Sequence, residues 1–205
     1  MIEIKHEKLN IKGKYRCIVI SDIHSHLERF QQILKEVDYT TNDYLIINGD
    51  FVEKGTQAIE TVHYLQYLQQ QSKRVYVLLG NCEYALGALI NEDRLCQEML
   101  HYLRKIGKSG MIDQIVFQKH LDLKKENPKL LQKIVRDSLK NELTYLQSLP
   151  TSLETNDFLC IHAGIEKKKD WQDAPLSSFI EKRDFQKVGH CLDKYVIVGH
   201  LPTSN

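Results

Sequence analysis

The fold of this chain is constrained most by five short runs of apolar residues. They are rich in Val, Ile and Tyr, and each has about the length of a buried β-strand. The runs are residues 15–20, 44–47, 75–79, 158–161 and 195–198. Apolar residues recur at helical spacing after the first run, as in Leu27, Phe30 and Leu34, and again after the second. Strands that alternate with helices predict an α/β fold with a largely parallel central sheet.

The middle of the chain, about residues 92–149, has a mostly helical pattern and reads as an insertion that packs over the sheet as a cap. Its first apolar stripe consists of Leu95, Met99, Leu103 and Ile106. A second helix is expected to begin near Asn127 and Pro128, since Asn caps helices well and Pro suits their first position. Its stripe continues to Leu146, and the helix should end before Pro150.

Composition sets broad limits on function. The 205 residues carry 28 Lys and Arg against 27 Asp and Glu, a net charge of +1. This balance argues against a protein that grips nucleic acid through bulk charge. No apolar run approaches the ~18 residues of a membrane span, and the N-terminus lacks the apolar core of a signal peptide. We therefore expect a cytoplasmic protein with one domain over residues 1–205 and no membrane partner.

Polar side chains follow each of the five runs directly. In open α/β sheets, ligands bind beyond the carboxyl ends of the strands, so these side chains are expected to converge. The candidates are Asp22, His24, Asp50, Asn81, His162 and His200. Two carboxylates, three imidazoles and one amide suit Mn, Fe or Zn. Six such ligands fit two ions about 3.5–4 Å apart, with one carboxylate bridging them.

Each of these motifs alone has an ordinary explanation. An Asn-Gly-Asp sequence is a common turn, and a single histidine at a strand end is usually a surface residue. Five such motifs in order, each just after an apolar run, are hard to explain as turns. The joint pattern therefore indicates a metal site.

The ordered motifs resemble those of the calcineurin-like metallophosphoesterases. Within that family they are most similar to the branch shared by serine/threonine protein phosphatases and bacterial diadenosine tetraphosphatases. The motifs here are SDIHSH (21–26), GDFVEKG (49–55), GNCE (80–83), IHAG (161–164) and VGHLPT (198–203). The resemblance covers nearly the whole chain.

The resemblance implies a β-sandwich flanked by helices, with a two-metal site. Asp22 and His24 would hold the first ion, and Asp50 would bridge both. The second ion would be held by Asn81, His162 and His200. Mn²⁺ is the favoured metal, with Fe or Zn as alternatives. The implied chemistry is attack of metal-bound water on phosphorus in a phosphoprotein, a small phosphomonoester or a dinucleoside polyphosphate.

This chain departs from the family pattern at several positions. Cys82 replaces the histidine that is thought to protonate the leaving group, and Glu53 replaces its orienting aspartate. Cys82 or Glu53 would then be the proton donor, at reduced rate because a thiol is a poorer donor than an imidazolium at neutral pH. Lys54 replaces a phosphate-binding arginine and would contact substrate together with Asn81. Leu79 stands where protein phosphatases have a second arginine.

The chain also ends at Asn205, five residues after His200. Relatives usually continue for a few more strands, so the second sheet is expected to be shortened, in a protein that is naturally short or truncated.

Three functional hypotheses follow. The first is a working phosphoesterase, and the second is a metal-binding pseudo-phosphatase whose turnover is impaired by Cys82. The third, a purely structural α/β domain, predicts that no metal co-purifies.

Overall fold

The computed structural model describes residues 2–89, 94, 97, 98, 100, 101, 110–122 and 125–202. Among these residues, seven strands form two sheets. The strands are β1 (His6–Lys8), β2 (Cys17–Ile20), β3 (Tyr44–Asn48), β4 (Val75–Leu78), β5 (Ser152–Glu154), β6 (Phe158–Ile161) and β7 (Tyr195–Ile197). One sheet has the order β2-β3-β4 and is parallel throughout, and the other has the order β1-β5-β6-β7 with β5 and β6 antiparallel.

The helices of the described residues lie between these strands in the chain. They are α1 (Leu27–Glu36), α2 (Ala58–Gln71), α3 (Asn81–Ala88), α4 (Met111–Gln118), α5 (Pro128–Ser138), α6 (Lys140–Ser148), α7 (Leu176–Ile180) and α8 (Phe185–Val188), with a 3₁₀ turn at Trp171–Asp173. Within the described stretches, no helix combines the length and the apolar character that crossing a membrane requires.

The two sheets pack face to face, and the alternation of their side chains shows how. In β3, Leu45 and Ile47 pack with the helices α1, α2 and α4–α6, whereas Ile46 points to the opposite side. There it meets Cys160 of β6, while Leu159 of β6 packs outward with Trp171 and α7. Since successive side chains of a strand point to opposite faces, this pattern defines a helix–sheet–sheet–helix sandwich.

The structure confirms the five apolar runs as strands and the α/β class with a β-sandwich, and it corrects the single central sheet. Runs one to three form the parallel sheet, whereas runs four and five belong to the second. The strands β1 and β5 complete that second sheet but are only three residues long, HEK and SLE, so they carry too few apolar residues to be recognised.

The helical segment is confirmed in part. Asn127 caps α5, because its side chain accepts hydrogen bonds from the Lys129 and Leu130 backbone N–H groups. The single helix expected to follow is instead two helices that meet at Leu139, whose backbone leaves the helical region (φ −109°, ψ 15°). Both helices face the core that covers the parallel sheet. The first stripe, Leu95, Met99, Leu103 and Ile106, lies outside the described residues.

Candidate metal centre

The loops that follow β2 and β3 are joined side by side. Backbone hydrogen bonds run from Asp22 N to Gly49 O (3.0 Å), from His24 N to Asp50 O (3.0 Å) and from Ser25 N to Phe51 O (2.8 Å). These bonds continue the pairing of the strands beyond their ends. They fix the predicted ligands of the first two motifs next to each other.

Four of the six predicted ligands have left-handed backbone conformations. The φ angles are 56° for Asp22, 48° for His24, 52° for Asp50 and 67° for His200. A positive φ is uncommon for residues other than glycine, and a strained backbone of this kind clusters at functional sites. Four such residues among the six predicted ligands indicate a functional site at the strand ends.

Asp50, His162 and His200 form one group of donors, here called the second cluster, whose ligand atoms all lie within 4.8 Å of one another. His162 Nδ1 lies 2.9 Å from the Asn48 carbonyl, which fixes the proton on that nitrogen. Its Nε2 faces Asp50 Oδ1 at 3.4 Å and Asn81 Oδ1 at 3.2 Å. The ring is fully buried, so its orientation is set by the protein.

His200 follows β7, which lies beside β6 in the same sheet, so it reaches the second cluster from the same sheet as His162. Its backbone N–H donates to Asp22 Oδ2 at 3.0 Å, and its ring lies 5.2 Å from that of His162. Its Nε2 is buried and has no hydrogen-bond partner among the described residues. Buried polar atoms are normally paired. An unpaired imidazole nitrogen next to the ligand atoms of Asp50 and His162 is therefore a candidate metal ligand.

The other group of donors is here called the first cluster. It consists of His24, Asp50 and Cys82, whose ligand atoms also lie within 4.8 Å of one another. His24 Nε2 accepts a hydrogen bond from Lys54 Nζ at 2.8 Å and lies 3.8 Å from Asp22 Oδ1. Burial and then the charge of Lys54 lower the pKa of His24. A neutral imidazole of this kind is the form that binds metals.

The two clusters share Asp50, the residue predicted to bridge two ions. The neighbouring His162 stabilises the ionised form of the Asp50 carboxylate. Burial alone would raise its pKa, but the hydrogen bond and charge of His162 outweigh burial and lower the pKa to about 2. The same pairing raises the pKa of His162 against the effect of burial. Oxygen and imidazole donors gathered around an ionised carboxylate fit divalent ions such as Mn²⁺, Fe²⁺ or Zn²⁺.

Glu83 is a functional residue that the sequence reasoning left without a role. It lies in α3 and is fully buried, and its carboxylate accepts hydrogen bonds from four backbone N–H groups. The donors are Asp50 (2.7 Å), Phe51 (2.9 Å), Val52 (3.0 Å) and Gly80 (2.9 Å). Glu83 therefore holds the loop that carries Asp50. The signal for it was present in the sequence, as the acid of the GNCE motif.

Asn48 is a second such residue. Its side-chain amide donates to the carbonyl groups of Ile161 (3.1 Å) and Ile197 (3.3 Å), which end strands β6 and β7. Its own carbonyl orients His162. Asn48 therefore joins the two sheets at the point where the ligands meet. Its position at the end of an apolar run was visible, but nothing in the sequence indicated a contact with the other sheet.

The two predicted proton donors occupy different surroundings. Burial, followed by the charges of Asp50 and Glu83, raises the pKa of the Cys82 thiol well above its usual range, which weakens it as a donor at neutral pH. Glu53 is buried, and its carboxyl group accepts a hydrogen bond from the Met111 N–H at the start of α4 (3.0 Å). Burial raises the pKa of Glu53 to about 8.

A further cation near the centre was missed at the sequence level. Burial, the neighbouring His162 and the charge of Arg183 all lower the pKa of His200, so the Arg183 guanidinium lies within electrostatic reach of the second cluster. Arg183 is exposed, as is Lys54 on the side of the first cluster. Each cluster therefore has an exposed cation near it, Lys54 in contact with His24 and Arg183 close enough for its charge to lower the pKa of His200.

A cavity of about 680 Å³ lies behind the loop that carries Lys54. Gly55 of this loop packs directly against the His24 carbonyl, since a Cβ there would lie 2.5 Å from that oxygen. The next residue, Thr56, lines the cavity together with Glu60, Asp113 and Phe117. The Phe117 ring is 80% exposed.

A helix-flanked β-sandwich carries nitrogen and oxygen donors at its strand ends, an arrangement suited to binding metal ions. Residues 15–204 match the family model for calcineurin-like phosphoesterase. The chain belongs to the calcineurin-like phosphoesterase family, as the ordered motifs predicted.

Individual relatives are similar to this chain at low identity. The symmetrical bis(5'-nucleosyl)-tetraphosphatase of Vibrio parahaemolyticus is 28% identical over 157 residues, which are 76% of this chain and 47% of that protein. The enzyme of the same name from Chromobacterium violaceum is 26% identical over 187 residues, 90% of this chain and 56% of that protein. The chain thus spans about half the length of the curated relatives it matches.

Solved structures agree on the fold. The crystal structure of a protein described as "a putative diadenosine tetraphosphatase" superposes with a TM-score of 0.59 at 18% identity, covering 97% of this chain and 80% of that one. At this identity the likeness shows the fold alone.

Proposed function

We propose that this chain is a two-metal phosphoesterase that hydrolyses a phosphate ester or anhydride, with dinucleoside polyphosphates as its preferred class of substrate. The observation that carries the proposal is the pair of donor clusters that share Asp50. The names of the tetraphosphatase relatives point to the same class of substrate.

Each cluster would hold one divalent ion. Asp22, His24 and Asp50 would bind the first, and Asp50 would bridge to the second, which Asn81, His162 and His200 would complete. Bound ions supply Lewis acidity toward the phosphoryl oxygens and a nucleophilic hydroxide at neutral pH. Without sulfur, these six oxygen and nitrogen donors suit Mn²⁺, with Fe²⁺ or Zn²⁺ as alternatives, and Mn²⁺ is the proposed metal wherever no thiol joins the site.

The chain's own cations and amide would orient the substrate. Lys54, which contacts His24, and Arg183, whose charge acts on His200, are both exposed and are the proposed contacts for phosphoryl oxygens. Asn81 turns its carbonyl oxygen toward His162, which leaves its NH₂ group, with only a weak contact to Cys82 Sγ at 3.8 Å, as a donor to substrate. Lys54 binds as a point charge rather than as the bidentate fork of an arginine.

The cavity beside the Lys54 loop favours a substrate larger than a phosphomonoester. Glu60 and Asp113 repel phosphate, but carboxylates bind ribose hydroxyl groups well. The exposed Phe117 ring offers a surface on which a nucleobase can stack. A nucleoside of the substrate is proposed to bind in this cavity, next to the loop that carries Lys54.

The protonation of the leaving group also favours a phosphate anhydride as the substrate. The family resemblance implies a histidine that protonates the leaving oxygen, and Cys82 stands at that position here. Glu53, the alternative donor, is engaged with Met111. A nucleotide released from an anhydride leaves as a stable anion and needs little protonation, whereas an alkoxide released from a phosphoserine needs a proton. A chain without the usual donor is therefore better suited to anhydrides.

The test is hydrolysis by the purified full chain with Mn²⁺, measured on a dinucleoside tetraphosphate, p-nitrophenyl phosphate and a phosphoserine peptide. We expect the rates to fall in that order, and Asp50→Asn to abolish all of them. The matched control is Asp137→Asn, an exposed carboxylate on α5. Faster turnover of the phosphoserine peptide would contradict the substrate assignment. Metal binding without turnover of any substrate would instead support the pseudo-phosphatase hypothesis.

A further inference from the structure

The first cluster contains a thiol, and this changes the chemistry of that position. Cys82 Sγ lies within 4.8 Å of the ligand atoms of both His24 and Asp50. Donors on one zinc ion, with bond lengths of about 2.3 Å for sulfur and about 2.0–2.1 Å for nitrogen, lie about 3–4 Å apart. Side-chain movements of about 1 Å would therefore place all three on a single ion.

The protein holds Cys82 at this position through its backbone. Cys82 is in the first turn of α3, and its N–H donates to Asp50 Oδ1 at 3.0 Å. Because helix and loop are both fixed by the buried Glu83, the distance between sulfur and carboxylate is set by the fold rather than by a mobile side chain.

The other side chains of the first cluster leave a place for a further ligand. His24 Nδ1 faces the Val52 carbonyl at 3.5 Å, so its Nε2 is the nitrogen directed at the cluster. This nitrogen accepts a hydrogen bond from Lys54 Nζ at 2.8 Å, and an ion that binds there would displace the lysine. Asp22 lies beside it, at 3.8 Å from that Nε2. With Asp50 these residues supply one nitrogen and two carboxylates, and a fourth donor would complete a tetrahedral shell.

We propose that Cys82 is a ligand of the ion held by His24 and Asp50, and that this position prefers Zn²⁺ to Mn²⁺. The residue that replaces a proton donor of the relatives would thus have become part of the metal site. Sulfur ligands select zinc over manganese, whereas oxygen ligands suit manganese. Binding replaces the thiol proton, which passes to solvent, and leaves a thiolate on the ion.

The inference rests on the proposed two-metal function. Binding of Co²⁺ distinguishes a failure of the Cys82 assignment from a failure of that function. Co²⁺ added to the metal-free full chain should give a near-ultraviolet thiolate-to-cobalt charge-transfer band. Cys82→Ser should remove that band and keep the weaker visible bands of cobalt bound to nitrogen and oxygen. The control Cys191→Ser, an exposed cysteine outside both clusters, should keep the charge-transfer band.

Affinity gives a second readout. In competition with a chelating dye, Cys82→Ser should bind Zn²⁺ at least about tenfold more weakly, since even the loss of residues that support a ligand costs about 10–100-fold. Its Mn²⁺ affinity should change much less. Cys82→Ala repeats both measurements, and circular dichroism confirms that each variant is folded.

The outcomes separate the two proposals. Cobalt bound at two equivalents without a charge-transfer band, or a band that survives in Cys82→Ser and Cys82→Ala, overturns Cys82 as a ligand and leaves the two-metal function standing. Absence of bound cobalt and zinc together with absence of turnover overturns the two-metal function, and the ligand assignment with it.

Discussion

Replacing Glu83 by glutamine should destabilise the protein strongly, although the two side chains have almost the same shape. Each carboxylate oxygen of Glu83 accepts two backbone N–H groups, in bonds of 2.7–3.0 Å inside the protein. A glutamine offers one oxygen and one NH₂ group. In either orientation, two buried N–H donors would face another donor instead of an acceptor.

The size of the effect follows from these contacts. An unpaired buried donor costs about 1–3 kcal/mol, so two cost about 2–6 kcal/mol. The substitution also removes the cost of burying the Glu83 charge and its repulsion with the Asp50 carboxylate, which together offset part of the loss. We expect the free energy of unfolding to fall by about 2–4 kcal/mol, a large share of the 5–15 kcal/mol typical of a domain.

Urea denaturation in the presence of a chelator measures this loss without a contribution from metal binding. The midpoint should fall by about 1–2 M with an unchanged slope. The matched control is Glu36→Gln, an exposed glutamate whose side chain contacts Gln32 on α1 and should change stability by no more than about 0.5 kcal/mol. If Glu83→Gln is as mild as the control, the four bonds do not hold the Asp50 loop and our account of its position is wrong.

Two further predictions concern the surroundings of the centre. Asn48→Ala leaves the Ile161 and Ile197 carbonyls without their side-chain donor. It should lower the free energy of unfolding by about 2–4 kcal/mol in the same urea assay. A loss below about 0.5 kcal/mol would show that Asn48 does not join the sheets. For Glu53, a folded pKa of about 8 lies above the unfolded value near 4.5, so its contribution to stability is full below pH 4.5 and is lost as pH rises to 8. Glu53→Gln, which stays neutral, should therefore gain stability relative to wild type between pH 5 and 8, and parallel pH profiles of the two proteins would contradict the buried position of this carboxyl group.

The convergence of the candidate ligands was predictable from sequence because these residues directly follow the apolar runs that form the strands. Asp22, Asp50 and His162 each follow an apolar run, and the ends of such strands gather at one edge. Glu83 and Asn48 were not predictable in the same way, because they act on backbone groups of distant residues. A backbone N–H that donates to a side chain 33 positions away leaves no pattern of residue types.

The division of the strands into two sheets could not be predicted from the sequence, for a related reason. An apolar run in a strand buried on both faces looks the same whichever sheet contains it. The strands that would have marked the second sheet, β1 and β5, pair in register from His6 with Ser152 and consist of three residues each. Their pairing depends on a contact across 146 positions, which local periodicity does not encode.

The position of the centre ties its chemistry to the stability of the sandwich. The first cluster draws all of its donors from loops and a helix that follow the parallel sheet, whereas the second cluster adds His162 and His200 from the other sheet. Asn48 already links the sheets at this point through two hydrogen bonds. A divalent ion shared by Asp50 and the two histidines would be a second link at the same place. The second cluster is therefore the one whose occupation should stabilise the sandwich as a whole, because an ion bound there favours the state in which the two sheets are packed together.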